Sequence, residues 1–444
     1  SSRADSHTRR DARGLAEAIV AGVRFFATRD DALIRRFGAF AAERGVMVGR
    51  PAQIAQLIDE EQSTDRYAPR LLVETSIVER RYRSSDRSDL DRFAVHGAGE
   101  RAKDLRRRVD ELVGRGDTAI EIVRSADGSP VGLVATVELG RLVRVELMRV
   151  TRNGSGYTLA RQLLFGLRTR LADAGAVVVL ADVMDPEVVA AAEAEGWFDL
   201  AEVGVTAAVV APGMRRLEAV PAHIDTLLSG LTPGEAVGAN LIDALRDRVS
   251  ALQAASSVIS LERAAWPLKV VGADIPVFIA PIKAAFARDL LGLGLTHGSL
   301  FGRPDDLGVS RDQVYYRRPR SPSNFPAPAR IIWYVSGRHA QARTLRGVSL
   351  VVESREDTAA DLFKAYRRFG VYEFRQVAGS AVRGRAQALL LSDLEAFHRP
   401  ISWRDAVEMA NAQGCEWEGA APVGPRRISE QLFAALYDRG SGHG

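Results

Sequence analysis

Residues 142–175, LVRVELMRV-TRNGSG-YTLARQLLFGLRTRLADAG, carry an apolar strand through two glycines and directly into a helix with 3.6-residue apolar spacing, which stops at Gly175. No other stretch restricts the fold as much, because a strand, glycine turn and helix in this order build the crossover of an α/β sheet. Two outcomes follow from the turn. Either its successive amides and the helix dipole cradle an anion such as a pyrophosphate, or the glycines only reverse the chain. A lone G-x-G does not decide between them.

The flanking sequence narrows the choice. Upstream lie a strand (TSIVERRY), a long helical segment opened by a Ser-Asp cap (SDLDRFAVHGAGERAKDLRRRVDELVGR) and a hairpin with an Asp-Gly turn (TAIEIVRS-ADGSP-VGLVATVEL). Downstream come a buried strand (AVVVLADVM), a helix (DPEVVAAAEAEG) and a last strand (LAEVGVTAAVV). Over roughly residues 74–212 this order resembles the GNAT acyltransferase superfamily. In that family a Q/R-x-x-G-x-G/A loop holds the pyrophosphate of acetyl-CoA, and the resemblance places it on Val150, Thr151, Arg152, Asn153, Gly154, Ser155 and Gly156. Both glycines match, whereas Thr151 stands where the family has Gln or Arg, with Arg152 one residue away.

Acyl transfer to an amine needs a base for the amine and an acid for the leaving thiolate. Glu146, on the strand before the turn, is the candidate base; its alternative is a solvent-facing strand residue. The family's acid is commonly a tyrosine in the fourth helix, where this chain has Ala192, and Asp185 replaces the usual helix-start Asn. Tyr157 is the substitute candidate, with packing as its alternative. The cofactor signal therefore exceeds the catalytic one.

Ahead of this domain, DARGLAEAIVAGVRFFATRDD and GVMVGRP read as helix, strand, acidic turn, helix and strand. Asp11 and Asp30 can converge on a divalent cation or simply cap their helices. The stretch resembles the C-terminal half of a PIN domain, a metal-dependent ribonuclease fold, with Thr28-Arg29-Asp30 at its T-x-D. The family's opening strand and first aspartate have no counterpart. Magnesium or manganese is expected only where a complete PIN site exists in the full-length protein, and the chain as given is expected not to cleave RNA.

The last third is β-rich: VVGADIPVFIAPI, QVYYRR, ARIIWYVSG, RGVSLVVESRE, VYEFRQVAG and AQALLLSDLEAF read as strands around a helix DTAADLFKAYRRFG. Arg330, Trp333 and Tyr334, near VYYRRPR, can stack bases and contact phosphates, or can be core. This block resembles an ASCH/PUA-like β-barrel, a family associated with RNA or modified nucleotides.

Composition sets the outer limits. The 444 residues suggest about three domains, the formal charge is +4, and only four of the 60 basic residues are lysines. Arginine suits bidentate phosphate contacts, but a G+C-rich genome also encodes such chains. A single cysteine, Cys415, leaves no disulfide framework and no cysteine-rich zinc site, and His297, His339 and His398 are too scattered to read as a metal triad. No apolar run approaches the ~20 residues of a membrane span, and the expected location is cytoplasmic.

The expectation is thus an α/β and α+β multidomain chain: a partial PIN-like α/β unit (1–55), a GNAT α/β fold (70–212), a helical connector (213–262), a C-terminal PUA-like β-barrel (263–408) and a helix with a tail (409–444). Its expected activity is acetyl-CoA-binding N-acetyltransfer, linked to RNA or DNA or another nucleotide-bearing substrate. The alternative is a nucleic-acid-binding or nuclease-derived, toxin-like protein on a degenerate GNAT scaffold.

Overall fold

The computed structural model describes residues 13–21, 23, 25–42, 44, 46–51, 54, 67–73, 77–229, 236–250, 255–284, 286–287, 310–319, 325–337, 342–369 and 372–442. They fall into two compact units, residues 1–66 and Tyr67–Gly444. In the first, α1 (residues 13–20), β1 (Phe25–Ala27), α2 (Asp31–Ala42) and β2 (Met47–Gly49) follow the expected order. β1 and β2 pair in parallel, and Leu15, Leu33, Ala41 and Val46 form a small core.

The second unit contains a seven-stranded sheet, a six-stranded sheet and a parallel pair of short strands, β10 (Met214–Arg216) and β11 (Lys269–Val271). The first runs β3 (Val78–Arg81), β4 (Thr118–Arg124), β5 (Pro130–Leu139), β6 (Leu142–Val150), β7 (Ala176–Leu180), β9 (Val205–Val210) and β8 (Phe198–Leu200). Only β6 and β7 are parallel, as a helical crossover between neighbouring strands requires. That crossover is α5 (Gly156–Arg170), reached through the glycine turn.

Both faces of the sheet are covered, which is why AVVVL is apolar at every position. Ala176, Val178 and Leu180 join the core under α5 and α6 (Pro186–Ala194). Val177 and Val179 join another with α7 (Val220–Leu228), α8 (Ala236–Ser250) and α9 (Ala255–Ala264). The segment expected to be a connector therefore supplies a layer of this domain's core.

The long helix expected over 88–115 is broken. After the short α3 (Arg70–Val73), a 3₁₀ segment spans Ser84–Phe93, and α4 begins only at Ala102 (Ala102–Arg115). Gly99 sits between them in the left-handed region, at φ 82°, where a helix cannot continue.

The C-terminal sheet runs β13 (Gln313–Arg317), β16 (Arg385–Ser402), β15 (Thr344–Thr358), β14 (Ala329–Ser336), β12 (Val277–Lys283) and β17 (Arg426–Ile428). Three register irregularities bend the long β15–β16 pair. The curl is visible across the interior: Tyr315 of β13 and Trp333 of β14 lie three places apart in strand order, yet their ring centroids are 5.3 Å apart. The described strands form a curled sheet, and among the described residues no pairing joins β13 to β12 or β17 to close the expected barrel. VYEFRQVAG, read as a strand, contains the helix Phe374–Gly379, fixed by a reciprocal cap between Glu373 and Gln376.

The two sheets are joined by a buried ion cluster. Arg161 of α5 meets Glu195 at 2.6 Å and Asp312 at 2.8 Å, while Arg311 meets Glu195 at 2.7 Å and Asp393 at 2.5 Å. Arg263 adds a contact to Asp312 at 3.3 Å. Burial raises the Glu195 carboxyl, but Arg161, Arg311 and Arg263 outweigh it and hold it at about 2. Arg168 is packed against backbone carbonyls of Glu195, Arg263, Val209 and Ala264. Burial, then Arg311, lowers its affinity for a proton to about 9.

Candidate functional site

Among the described residues, each of the two large sheets of the second unit contains a gap. In the first sheet, β6 pairs with β7 only from Leu142↔Val177 to Val145↔Leu180, and beyond Val145 the strands part. A bulge sits at the same place, where Thr136↔Val145 gives way to Ala135↔Leu147 and leaves Glu146 unpaired in the ladder. Parted strands leave backbone groups that need partners, and an extended ligand could supply them. Here side chains of the chain do so. The Val150 amide donates to Asp185 Oδ2 at 3.2 Å, Arg149 donates to the Met148 carbonyl at 2.9 Å, and Arg108 donates to the Glu146 carbonyl at 2.7 Å. Arg149 is fully buried between Glu100 (3.1 Å) and Asp182 (2.6 Å), and Arg108 adds a second contact to Asp182 at 3.0 Å.

Glu146 lines a cleft of about 440 Å³ beside this gap, together with Glu100, Arg107, Arg108, Glu111 and Arg115. Its Oε1 is held by Arg144 at 3.2 Å and faces Arg115 at 3.7 Å. Tyr157 does not border that cleft. It is half-buried on the core under α5, with its ring edge-on to Tyr67.

The glycine turn is closed largely on itself. The Asn153 side-chain oxygen accepts from the Ser155 amide and hydroxyl and from the Thr151 hydroxyl, and the Gly156 amide donates to the Asn153 carbonyl. A Cβ on Gly156 would stand 2.1 Å from the Thr151 carbonyl oxygen, so that glycine is required by the turn. A Cβ on Gly154 would meet nothing within 4 Å. Arg152 lies toward Gly97, its guanidinium 3.9 Å from where a Cβ there would be.

Asp30, expected as a metal ligand, accepts from the Ala32 and Leu33 amides and so caps α2. Asp11 lies outside the described residues, as do His297 and His339. Among the described residues no group of three or more metal-ligating side chains is assembled.

In the C-terminal sheet the three residues expected to bind nucleic acid are core. Arg330 is 1% exposed, ion-paired to Glu262 at 2.5 Å and bonded to the Val270 carbonyl. Trp333 is fully buried, with its Nε1 donating to Ser349 at 2.9 Å, and Tyr334 packs edge-on to Trp403. Along this central strand the aromatics alternate between two cores.

The gap beside that strand is different. Where β13 fails to meet β12 lies a cavity of about 820 Å³, lined by Lys283, Arg317, Arg318 and Arg343, with Phe286 and Tyr315 among its aromatics. None of its described lining residues is a carboxylate. Trp333 and Tyr334 border it only as buried floor. Sequence reasoning passed over these cations because they come from separate strand ends, although VYYRRPR contains two of them.

No protein-family model and no curated protein matches the chain. Solved structures similar to parts of it include the ASCH protein of Zymomonas mobilis, 16% identical, covering 36% of this chain and 94% of that one at a TM-score of 0.28. Spermidine N-acetyltransferase of Vibrio cholerae, solved with CoA and spermine, is 13% identical over 30% of this chain and 96% of that one, at a TM-score of 0.22. A GNAT-superfamily phosphinothricin acetyltransferase of Sinorhizobium meliloti, solved with AcCoA, is 16% identical over 28% and 75%, at 0.22. At that distance a ligand of these proteins is not thereby a ligand of this one. No described helix is long and apolar enough to cross a membrane.

Proposed function

We propose that the chain binds a phosphorylated nucleoside, free or at the end of an RNA or DNA strand, in the cavity of the C-terminal sheet, and that the seven-stranded domain is its scaffold. The observation that carries this reading is four cations and, among the described residues, no carboxylate around one cavity with aromatic walls. Such a lining attracts phosphate, repels carboxylate ligands, and accommodates a base on its apolar surfaces. The test is a salt series of binding to short single-stranded RNA and DNA with the full chain. Affinity should fall steeply with salt because phosphate contacts release counterions. A folded chain that binds neither polymer nor mononucleotides at low salt refutes the reading.

Acetyl-CoA-dependent acyl transfer is the second reading. What favours it is the parting of β6 from β7 at a bulge, next to a glycine turn and a cleft lined by Glu146. Against it stand the side chains that already satisfy the parted strand and the turn that closes on itself. Residues Val150–Gly156 then serve as a turn, and Glu146 as part of an ion-pair network. Saturable heat on titrating acetyl-CoA into the full chain would restore the transferase reading.

A further inference from the structure

Resting on the cavity reading above, we infer that the ligand is held in two parts: its phosphate by the β13 side of the cavity, and its base by the uncharged segment Ala421–Pro425. The register of β17 places that segment. Val277↔Ile428, Phe278↔Arg427 and Ile279↔Arg426 pair antiparallel, so the chain running back from Arg426 continues alongside β12 in the direction of Lys283. It lies on the edge of β12 away from β14. β13 is the opposite end of the curled sheet. The open seam therefore has two banks, and their chemistry differs.

One bank ends in Arg317 and Arg318. The other, Ala-Pro-Val-Gly-Pro, lines the cavity at all five positions and offers neither charge nor a side-chain hydrogen-bond donor. Val423 at its centre is 85% exposed, whereas Pro422 beside it is buried. An isolated exposed valine is ordinary on a protein surface. Here it stands on the rim of a cationic cavity, between two prolines that fix their backbone and leave little entropy to lose on binding. Inorganic phosphate would use the cations and leave this bank idle. A base uses it, because its flat face packs on any apolar wall without needing hydrogen-bond donors.

The experiment compares adenosine 5′-monophosphate, ribose 5-phosphate and inorganic phosphate by calorimetry on the full chain at low salt, with circular dichroism on each variant. Adenosine 5′-monophosphate should bind about tenfold tighter than ribose 5-phosphate, the factor expected when roughly 55 Å² of apolar surface leaves water. Val423→Ser should remove most of that preference and leave ribose 5-phosphate unchanged. Arg317→Ala should weaken both ligands by the same factor. Equal affinity of the two ligands for the unmutated chain, or a Val423→Ser loss shared by both, overturns the two-part arrangement and leaves an anion site. Absence of binding by all three ligands removes the cavity reading itself, and this inference with it.

Discussion

The gap between β6 and β7 and the seam between β13 and β12 are the same kind of defect, two sheet strands that fail to stay together, yet the chain treats them in opposite ways. At the first, Arg108, Arg149 and Asp185 satisfy backbone groups of the parted strand, and Glu100 and Asp182 neutralise the arginines. At the second, four cations line a cavity whose described lining contains no carboxylate. A sheet defect is thus a poor indicator of a site by itself. What separates a scaffold from a site is whether the chain's own groups complete the bonds and charges that the defect exposes.

The strongest way to break this comparison is to open the sealed gap. Arg149→Met leaves Glu100 and Asp182 buried and short of one cation, and removing one partner from a buried pair costs about 3–5 kcal/mol. Urea unfolding should shift by that amount, while acetyl-CoA titrations of both proteins stay flat. Saturable binding gained by the variant would show that the side chains hide a working cleft rather than replace one.

Acid should next weaken the joint between the two regions. Glu195 is held at about 2, below the ordinary 4.5, so its contribution is complete above pH 4.5 and is lost as pH falls toward 2. At about 1.4 kcal/mol for each tenfold change in proton affinity, that is about 3 kcal/mol. The urea midpoint measured from pH 6 downward should fall most steeply below pH 4.5, and Glu195→Gln should flatten that fall. An unchanged acid profile in the variant would mean that Asp312, whose carboxyl burial raises but Arg263, Arg161 and Arg311 hold low, carries the joint.

The order of the seven-stranded domain was legible because its signals are local: apolar strands, an Asp-Gly hairpin, two glycines ahead of α5. The seal was not. Arg149 sits in LVRVELMRV where alternation suggests a polar face, and its partners are 49 and 33 residues distant, at Glu100 and Asp182. The same holds for Arg311 and Arg330, buried against Glu195 and Glu262. An arginine-rich composition therefore conceals the difference between phosphate contacts and core ion pairs, since only the fold says which carboxylates arrive. Among the C-terminal strands, VVGADIPVFIAPI is split into Lys269–Val271 and Val277–Lys283, which join different sheets, VYEFRQVAG contains the helix Phe374–Gly379, and Arg426–Ile428 adds a short strand. Trp333 and Tyr334 turn inward because helices and a curled sheet cover both faces of β14.

The smallest effects distinguish a turn from an anion cradle at the two glycines. Gly156→Ala drives a Cβ to 2.1 Å from the Thr151 carbonyl oxygen, a backbone atom, so the turn must shift, at about 1–3 kcal/mol as for other overpacked sites. Gly154 faces open space and its φ is not in the left-handed region, so alanine fits. It should leave stability unchanged or raise it by about 0.4–1 kcal/mol, by restricting the unfolded chain. In a pyrophosphate cradle both glycines matter, because the ligand approaches the backbone at each. In a plain turn only Gly156 does. Thermal unfolding of the two variants, each with and without acetyl-CoA, separates these cases: a Gly154→Ala chain that loses a cofactor-induced rise in Tm present in the unmutated protein would make the first gap a site after all.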